Sequence, residues 1–313
     1  MTRLAPAAAL LAAVAILPSR PAAAAPASVF VYEGAGCTGR GKLPAFEAFL
    51  GRATDGVSDF LAFASWDDLE RSARWVVGCW KSTGKRIALG VPMLPKDGST
   101  LQAGAAGAYD ARFAALGRAI VEAGAADAFL RVGVEFNGDW FPWAAARDPA
   151  AFKTYFARIV KALRSAAGAR FRIVWNPNVG PLRFPADRAY PGDDVVDVIG
   201  LDVYNQVWAA ADREPSARWA HVLEEPFGLA WLATFARQHG KPMALPEWGT
   251  GTRPDGHGAG DDPLFITRMA AWIAAHDVVF QSYWDYRAPD YDARLSDGHF
   301  PASARAFKAA FGR

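Results

Sequence analysis

A single-domain α/β fold, the (β/α)8 barrel, is what this sequence predicts, and three observations carry the prediction. From Val29 onward, short apolar runs alternate with longer amphipathic ones eight times. The short runs, VFVY, FLAFA, IALGV, FRIVW and VVDVIGL among them, are apolar nearly throughout, as expected of parallel strands covered on both faces. The competing α/β architecture, an open doubly wound sheet, normally announces a glycine-rich phosphate loop after an early strand. Here Gly34-Ala35-Gly36 follows the first strand without a third glycine or a helix start, which argues against a nucleotide site.

Taken in order, the strands are expected at Val29–Tyr32, Asp59–Ala64, Arg86–Val91, Phe129–Val134, Phe171–Trp175, Val196–Asp202, Pro242–Leu245 and Val278–Trp284. Helices fall between them. Asp148-Pro149 combines an N-cap with a first-turn proline, and Phe152, Tyr155, Phe156, Ile159, Val160 and Leu163 follow at helical spacing. Asp262-Pro263 repeats that start ahead of Phe265, Met269, Trp272 and Ile273, and Tyr109, Phe113, Leu116 and Ile120 form a further apolar stripe. Other helices are expected over Leu43–Arg52, Asp67–Ser82, Phe227–Gln238 and Pro301–Phe311. Only the connection from Asn176 to Val195 lacks a clear long helix. Such stripes pack a core far more often than they bind a ligand.

Composition narrows the function. The chain has 313 residues, 52% hydrophobic and 21% charged, a size that suits one large barrel or two ordinary domains, and no linker or repeat splits it in two. A net charge of +2 without basic or acidic tails gives no footing for nucleic acid or for an anionic membrane surface. Residues 1–25 differ in kind: Met1-Thr2-Arg3, an uncharged apolar run from Leu4 to Leu17, then an alanine-rich stretch ending near Ala24–Ala27. This is the pattern of a secretory signal peptide, so the mature domain is expected to span 26–313 and to be secreted or periplasmic. The two cysteines, Cys37 and Cys79, fall at a barrel top and near a helix bottom in this scheme, too far apart for a bridge, so two free thiols are expected.

In a (β/α)8 barrel the chemistry sits at the C-terminal ends of the strands. Those ends here read Tyr32-Glu33, Ser65-Trp66, Pro92-Met93, Glu135, Trp175-Asn176-Pro177-Asn178, Asp202-Val203-Tyr204-Asn205, Pro246-Glu247-Trp248-Gly249 and Tyr283-Trp284-Asp285. Polar groups and indoles land together at nearly every one. Glu135 on the fourth strand and Glu247 on the seventh face each other across the mouth. A carboxylate at the end of a buried strand is costly to desolvate unless something uses or pairs it. Two such groups on opposing walls suit glycoside hydrolysis, at a separation of ~5–5.5 Å for a retaining enzyme. Aromatic rings beside them suit the C–H faces of sugars. Arg131, on the inward face of the fourth strand, needs a carboxylate partner as a buried cation. Trp66, Asn176 and Trp248 are further candidates for the cleft; Glu33, Asp255, His257 and Asp285 are weaker ones.

Three segments resemble glycoside hydrolase family 26. Arg131–Trp143, RVGVEFNGDWFPW, is similar to its acid/base signature R-x-x-H-E-M-N-G-x-W-F-x-W; ALPEWGTG around Glu247 resembles the nucleophile strand of the same clan; and VVDVIGLDVYN, ending at Asn205, resembles strand six. The resemblance implies a retaining mechanism with Glu135 as acid/base and Glu247 as nucleophile. It implies that Arg131 and Tyr204 position the nucleophile, that Asp202 touches sugar or supports that network, and that Trp140 and Trp284 stack on sugars about the cleavage point, with Trp143 a further aromatic. The family's histidine before the acid/base is replaced by Val134, and its histidine after strand three is missing from Val91-Pro92-Met93-Leu94-Pro95. Those departures leave both glutamates in place but remove side chains expected to touch the sugar. Val134 is also expected to leave Glu135 drier and so raise its pKa.

The expectation is therefore a secreted, monomeric, retaining endo-β-glycosidase with a polysaccharide as its partner: β-mannan, β-glucan, β-xylan or exopolysaccharide. Two carboxylates supply both proton transfer and covalent catalysis, so no cofactor or metal is expected. A non-catalytic polysaccharide-binding barrel would keep the indoles but have no need of two opposed glutamates. A transglycosylase would use the same site.

Overall fold

The computed structural model describes residues 26–312, so the expected signal peptide lies outside the described residues. Nine parallel strands form one sheet in the order β6-β5-β4-β3-β2-β1-β9-β8-β7, and an extra pairing of β6 with β8 closes it. The strands are β1 (Ser28–Tyr32), β2 (Gly56–Phe60), β3 (Arg86–Val91), β4 (Phe129–Val132), β5 (Arg172–Trp175), β6 (Val198–Gly200), β7 (Val203–Asn205), β8 (Met243–Thr250) and β9 (Val278–Trp284). β6 and β7 are two pieces of one stave, both pairing with β8, so the barrel has eight staves. Helices α1 (Gly36–Leu50), α2 (Trp66–Lys81), α3 (Leu101–Ala105), α4 (Asp110–Ala123), α5 (Pro149–Arg164), α6 (Pro215–Glu224), α7 (Leu229–Gln238), α8 (Pro263–Ala275) and α9 (Pro301–Phe311) surround it. This is a (β/α)8 barrel. None of the helices is long and apolar enough to cross a membrane among the described residues.

The interior is built in layers by the two-residue period of the strands. Its lower half is a dry plug of Phe30, Ala88, Phe129, Val174, Val198, Ala244 and Phe280, in which the three phenylalanines touch with centroids 4.5–6.1 Å apart. Burying each ring is worth about 1.5–3 kcal/mol. Glycine makes room for such rings: a Cβ on Gly56 would stand 2.3 Å from Phe30 in this plug, and one on Gly90 2.5 Å from Phe60 in the layer above. Two residues further along, the inward positions turn polar or amphipathic. Phe30 gives way to Tyr32, Phe129 to Arg131, Val174 to Asn176, and Phe280 to Ser282 and then Trp284. The apolar floor thus seats a polar mouth.

Two strands depart from expectation in ways that aim the site. β4 stops at Val132, because Gly133 takes φ 61° and Glu135 itself takes φ 53°. β8 runs through Pro246 and Glu247 to Thr250, where only Pro242–Leu245 was expected. Leu245 pairs with Gln281 and Trp248 with Tyr283, so three steps on β8 match two on β9. That is a β-bulge, placed at a proline that has no N–H to give the ladder. Its consequence is a change of parity. Leu245 and Trp248 both face the helices, leaving Pro246 and Glu247 to share one inward place.

Three further differences have simple causes. β2 lies at Gly56–Phe60, earlier than the apolar run FLAFA, because Asp59 is bonded within it by Gly36 N, Phe60 N and the Trp80 indole. α6 was missed, although Glu214 caps it through Ala217 N at 2.9 Å ahead of Pro215. The cysteines are a correction: Cys37 and Cys79 form a disulfide, with their Cα atoms 4.9 Å apart. A helix running straight beside its strand would put Cys79 far below Cys37. Instead the last turns of α2 lie on the first turn of α1, where Gly36 meets the Trp75 ring and Gly39 meets Trp80.

Candidate active site

Arg131 is the hub. It is fully buried, and its Nε donates to Asn176 Oδ1 at 2.7 Å. Its Nη2 donates to both oxygens of Asp202, at 3.0 and 3.2 Å, and to Glu247 Oε1. Beneath the guanidinium the Phe60 ring lies 5.2 Å away. A lone buried cation would be very costly, and here two carboxylates and an amide repay it. Asp202 is brought inward where the sixth stave breaks between β6 and β7. Burial pushes its carboxyl well above the ordinary value, with the neighbouring Glu247 adding to the rise and Arg131 opposing it.

Glu247 is held at both oxygens. Arg131 takes Oε1, and the Tyr204 hydroxyl donates to Oε2 at 2.8 Å. Burial, then the charge of Glu247, raises the Tyr204 phenol well above its usual value, so it stays a hydroxyl donor. The Glu247 side chain keeps about a tenth of its surface open to the mouth.

Glu135 is held differently. The left-handed backbone that carries it costs about 1–3 kcal/mol for a residue with a Cβ, a strain typical of functional positions. Its N–H is tied to Asn176 O at 2.8 Å, and its carbonyl accepts from Gly138 N at 3.1 Å. Its carboxyl accepts from neutral groups only: the Trp140 indole N–H at Oε2, 2.9 Å, and the Asn178 amide at Oε1. Desolvation, and then the charge of Glu247, push its pKa up to about 7.

Aromatic side chains wall the mouth. Trp284 stacks on Tyr32 with centroids 4.3 Å apart, and stands edge-on to Tyr204 at 6.2 Å and to Phe60 at 6.0 Å. Trp140 is 47% exposed, its ring available beside Glu135. Arg131, Glu135, Asp202, Tyr204, Glu247, Trp140 and Trp284 thus converge as the sequence led one to expect.

Three expected cleft residues do not face it, and a fourth, Asn176, points inward but lies beneath it. Trp143 is buried, stacked on Phe141 at 4.5 Å, and gives its indole N–H to Val134 O, so it braces the loop that carries Glu135. Trp66 packs between Tyr109 and Phe113 in the helical layer and donates to Ser99 Oγ. Trp248 is turned outward by the bulge, against Phe265, Tyr283 and Phe307, with its indole on Gln281. Asn176 is fully buried and works as a positioning residue for Arg131. Of the weaker candidates, Glu33 and Asp285 form a buried carboxyl pair, with Asp285 accepting from Leu295 N and the Ser296 hydroxyl. His257 and Asp255 lie in the β8–α8 loop.

Asn178 was overlooked. Asn137 fixes it reciprocally, Nδ2 to Asn178 O at 2.8 Å and Asn178 N to Asn137 Oδ1 at 2.9 Å. Strand parity could have found it, since Asn178 stands two residues past the inward Asn176. Tyr32 and Phe60 were likewise detectable as the upper inward positions of their strands.

Comparison with known proteins bears on the family and the fold. Residues 122–241 match the sequence model of Glycosyl hydrolase family 26, a span that holds Arg131, Glu135, Asp202 and Tyr204. A stretch of 149 residues, 45% of the chain, is 32% identical to a mannan endo-1,4-beta-mannosidase of Bifidobacterium adolescentis. The match covers 14% of that protein's length. Solved structures share the fold. A beta-mannanase of Bacteroides ovatus aligns with TM-score 0.62 and 18% identity over 92% of this chain and 88% of its own. A family 26 protein of Muricauda sp. aligns with TM-score 0.66 and 17% identity over 92% and 86%. An endo-beta-1,4-mannanase of Cellulomonas fimi aligns with TM-score 0.62 and 20% identity over 92% and 74%.

Proposed function

We propose that this chain belongs to glycosyl hydrolase family 26, whose model matches residues 122–241, and is a retaining endo-β-glycosidase whose first substrate is β-1,4-mannan. The observation that carries the reading is the unlike treatment of two facing carboxyls. Glu247 is gripped by a guanidinium and a phenol, while Glu135 is held by an amide and an indole with its pKa raised to about 7. Glu247 attacks the anomeric carbon while Glu135 passes its proton to the departing glycosidic oxygen. Glu135, now a carboxylate, then takes a proton from the water that displaces Glu247 from the sugar. Arg131 and Tyr204 hold the nucleophile at a fixed angle, which lowers the entropy lost on reaching the transition state. Mannan is placed first because the curated relative carries that activity in its name. We further propose that the enzyme is exported, on the strength of residues 1–25, and acts as a monomer.

The test is hydrolysis of β-mannan, mixed-linkage glucan, β-1,3-xylan and exopolysaccharides by the wild type and by Glu247→Ala. The expected result is cleavage of at least one polymer and a loss of roughly 10⁴-fold or more in the variant. Equal hydrolysis by both would remove Glu247 from the reaction. Binding without hydrolysis by the wild type would make the barrel a polysaccharide-binding protein.

A further inference from the structure

Trp208 is the most exposed large hydrophobic side chain among the described residues, 60% open to solvent, and has no part in the network above. It is held in place all the same. Its indole N–H donates to Gln206 Oε1 at 3.0 Å and its backbone N–H to Asp212 Oδ2 at 3.3 Å. Its ring stacks on His257, centroids 4.2 Å apart and planes 27° from parallel, with the Arg253 guanidinium 5.6 Å from the ring centre. His257 is fixed in turn, Nδ1 to Val207 O at 2.7 Å, while Val207 N donates to His257 O at 2.8 Å. A bridge between Gln206 and Gly258 joins the two loops, so each supports the other.

Below this pair the loops are pinned to the barrel. Arg218 Nε donates to Asn205 Oδ1 at 2.8 Å, its Nη2 donates to Asp262, and Asn205 Nδ2 donates to Asp262 and to Thr250 Oγ1, both at 3.0 Å. Asn205 and Thr250 end the two strands that carry Tyr204 and Glu247. Trp208 follows Tyr204 by four residues, so the two Cα atoms are no more than about 14 Å apart. The indole is therefore a fixed part of the rim above the nucleophile wall. A rigid aromatic left open to water wastes apolar surface unless a ligand covers it.

We propose that Trp208, backed by His257, is an outer sugar-binding platform that stacks on one pyranose of the polysaccharide beyond those gripped by Trp140 and Trp284. The inference rests on the glycosidase reading and adds a binding position to it. Gln206 lies at the ring's edge, where its amide N–H can donate to a sugar hydroxyl, while the Arg253 guanidinium, held by Asp255, lies over the ring. Occupancy of this platform favours long chains over short ones, so its signature is a dependence on chain length.

The experiment compares kcat/KM for the hexasaccharide and the trisaccharide of the polymer the wild type cleaves, β-1,4-mannan first, in wild type, Trp208→Ala and Trp208→Phe. Thermal unfolding of each variant checks that it is folded. The expected result is a hexasaccharide-to-trisaccharide ratio that falls about tenfold in Trp208→Ala and recovers at least partly in Trp208→Phe. A wild type that cleaves its polymer alongside a Trp208→Ala ratio within twofold of it overturns the platform and leaves the glycosidase reading intact. A wild type that cleaves nothing overturns both.

Discussion

Glu247 and Glu135 stand on opposite walls of one mouth, yet their surroundings differ in kind. Around Glu247 the donors are a buried cation and a phenol, and the cation is shared with Asp202. Around Glu135 the donors are neutral, and its strained backbone sets it at the foot of an exposed indole. Desolvation without a hydrogen-bonded cation favours an acid that can gain and lose its proton, as the raised pKa of Glu135 shows. One fold thus gives two copies of the same side chain unlike surroundings, and the proposed nucleophile and acid/base roles rest on that contrast.

Removing the cation breaks the contrast most severely. Arg131→Met leaves Asp202 and Glu247 buried without a counter-charge, and it should cost about 3–5 kcal/mol of stability as well as most activity. Chemical denaturation at neutral pH measures the first. Stability should recover partly when Asp202→Asn is added, because the orphaned charge is then gone.

Next in size is the acid. Glu135→Gln should lower kcat/KM by about 10²–10⁴-fold with substrates whose leaving group needs a proton. The pH profile sharpens this. Because its pKa is raised to about 7, Glu135 is protonated below that pH, so wild-type activity should fall as pH rises through about 7. In Glu135→Gln that basic limb should vanish. A limb that persists in the variant would assign it to another group.

Tyr204→Phe is smaller. It removes one hydrogen bond to a charged oxygen, worth about 1.5–3 kcal/mol, and so roughly 10- to 150-fold in kcat. KM should move less than kcat if the hydroxyl positions Glu247 without holding ground-state substrate.

The smallest effect comes from another buried acid, Glu33, which has no cation in hydrogen-bond contact. Burial, then Asp285, raises its pKa to about 10, with Lys42 opposing and Asp297 adding. Its folded value exceeds the ordinary 4.5, so folding takes up a proton. The stability this contributes is fully present below about 4.5 and is lost as pH rises toward about 10. Glu33→Gln keeps a neutral donor toward Asp285, so it should change stability near pH 5 by less than about 1 kcal/mol and flatten the alkaline loss. Denaturation at pH 5 and pH 9 separates the two effects.

The fold and the paired glutamates were legible because they rest on local signals: apolar runs, proline-started helices, and carboxyls at strand ends. What escaped depended on geometry that strict alternation does not carry. The bulge at Pro246 sends Trp248 outward and Glu247 inward, so two neighbours in one motif have opposite fates. Trp143 belongs to the same signature as Trp140 yet braces the loop from below. The disulfide was missed because the lean of α2 across α1 is set by the packing of Trp75 and Trp80 on Gly36 and Gly39, contacts between segments distant in sequence. Trp208 carried no motif, and its pairing with His257 joins two separate loops.

The most direct test is to trap the glycosyl-enzyme with a 2-deoxy-2-fluoro glycoside of the cleaved polymer's sugar and to map the labelled peptide by mass spectrometry. The account predicts one added sugar, on the peptide that contains Glu247, and products that retain the anomeric configuration. A label on Glu135, or products of inverted configuration, would contradict it.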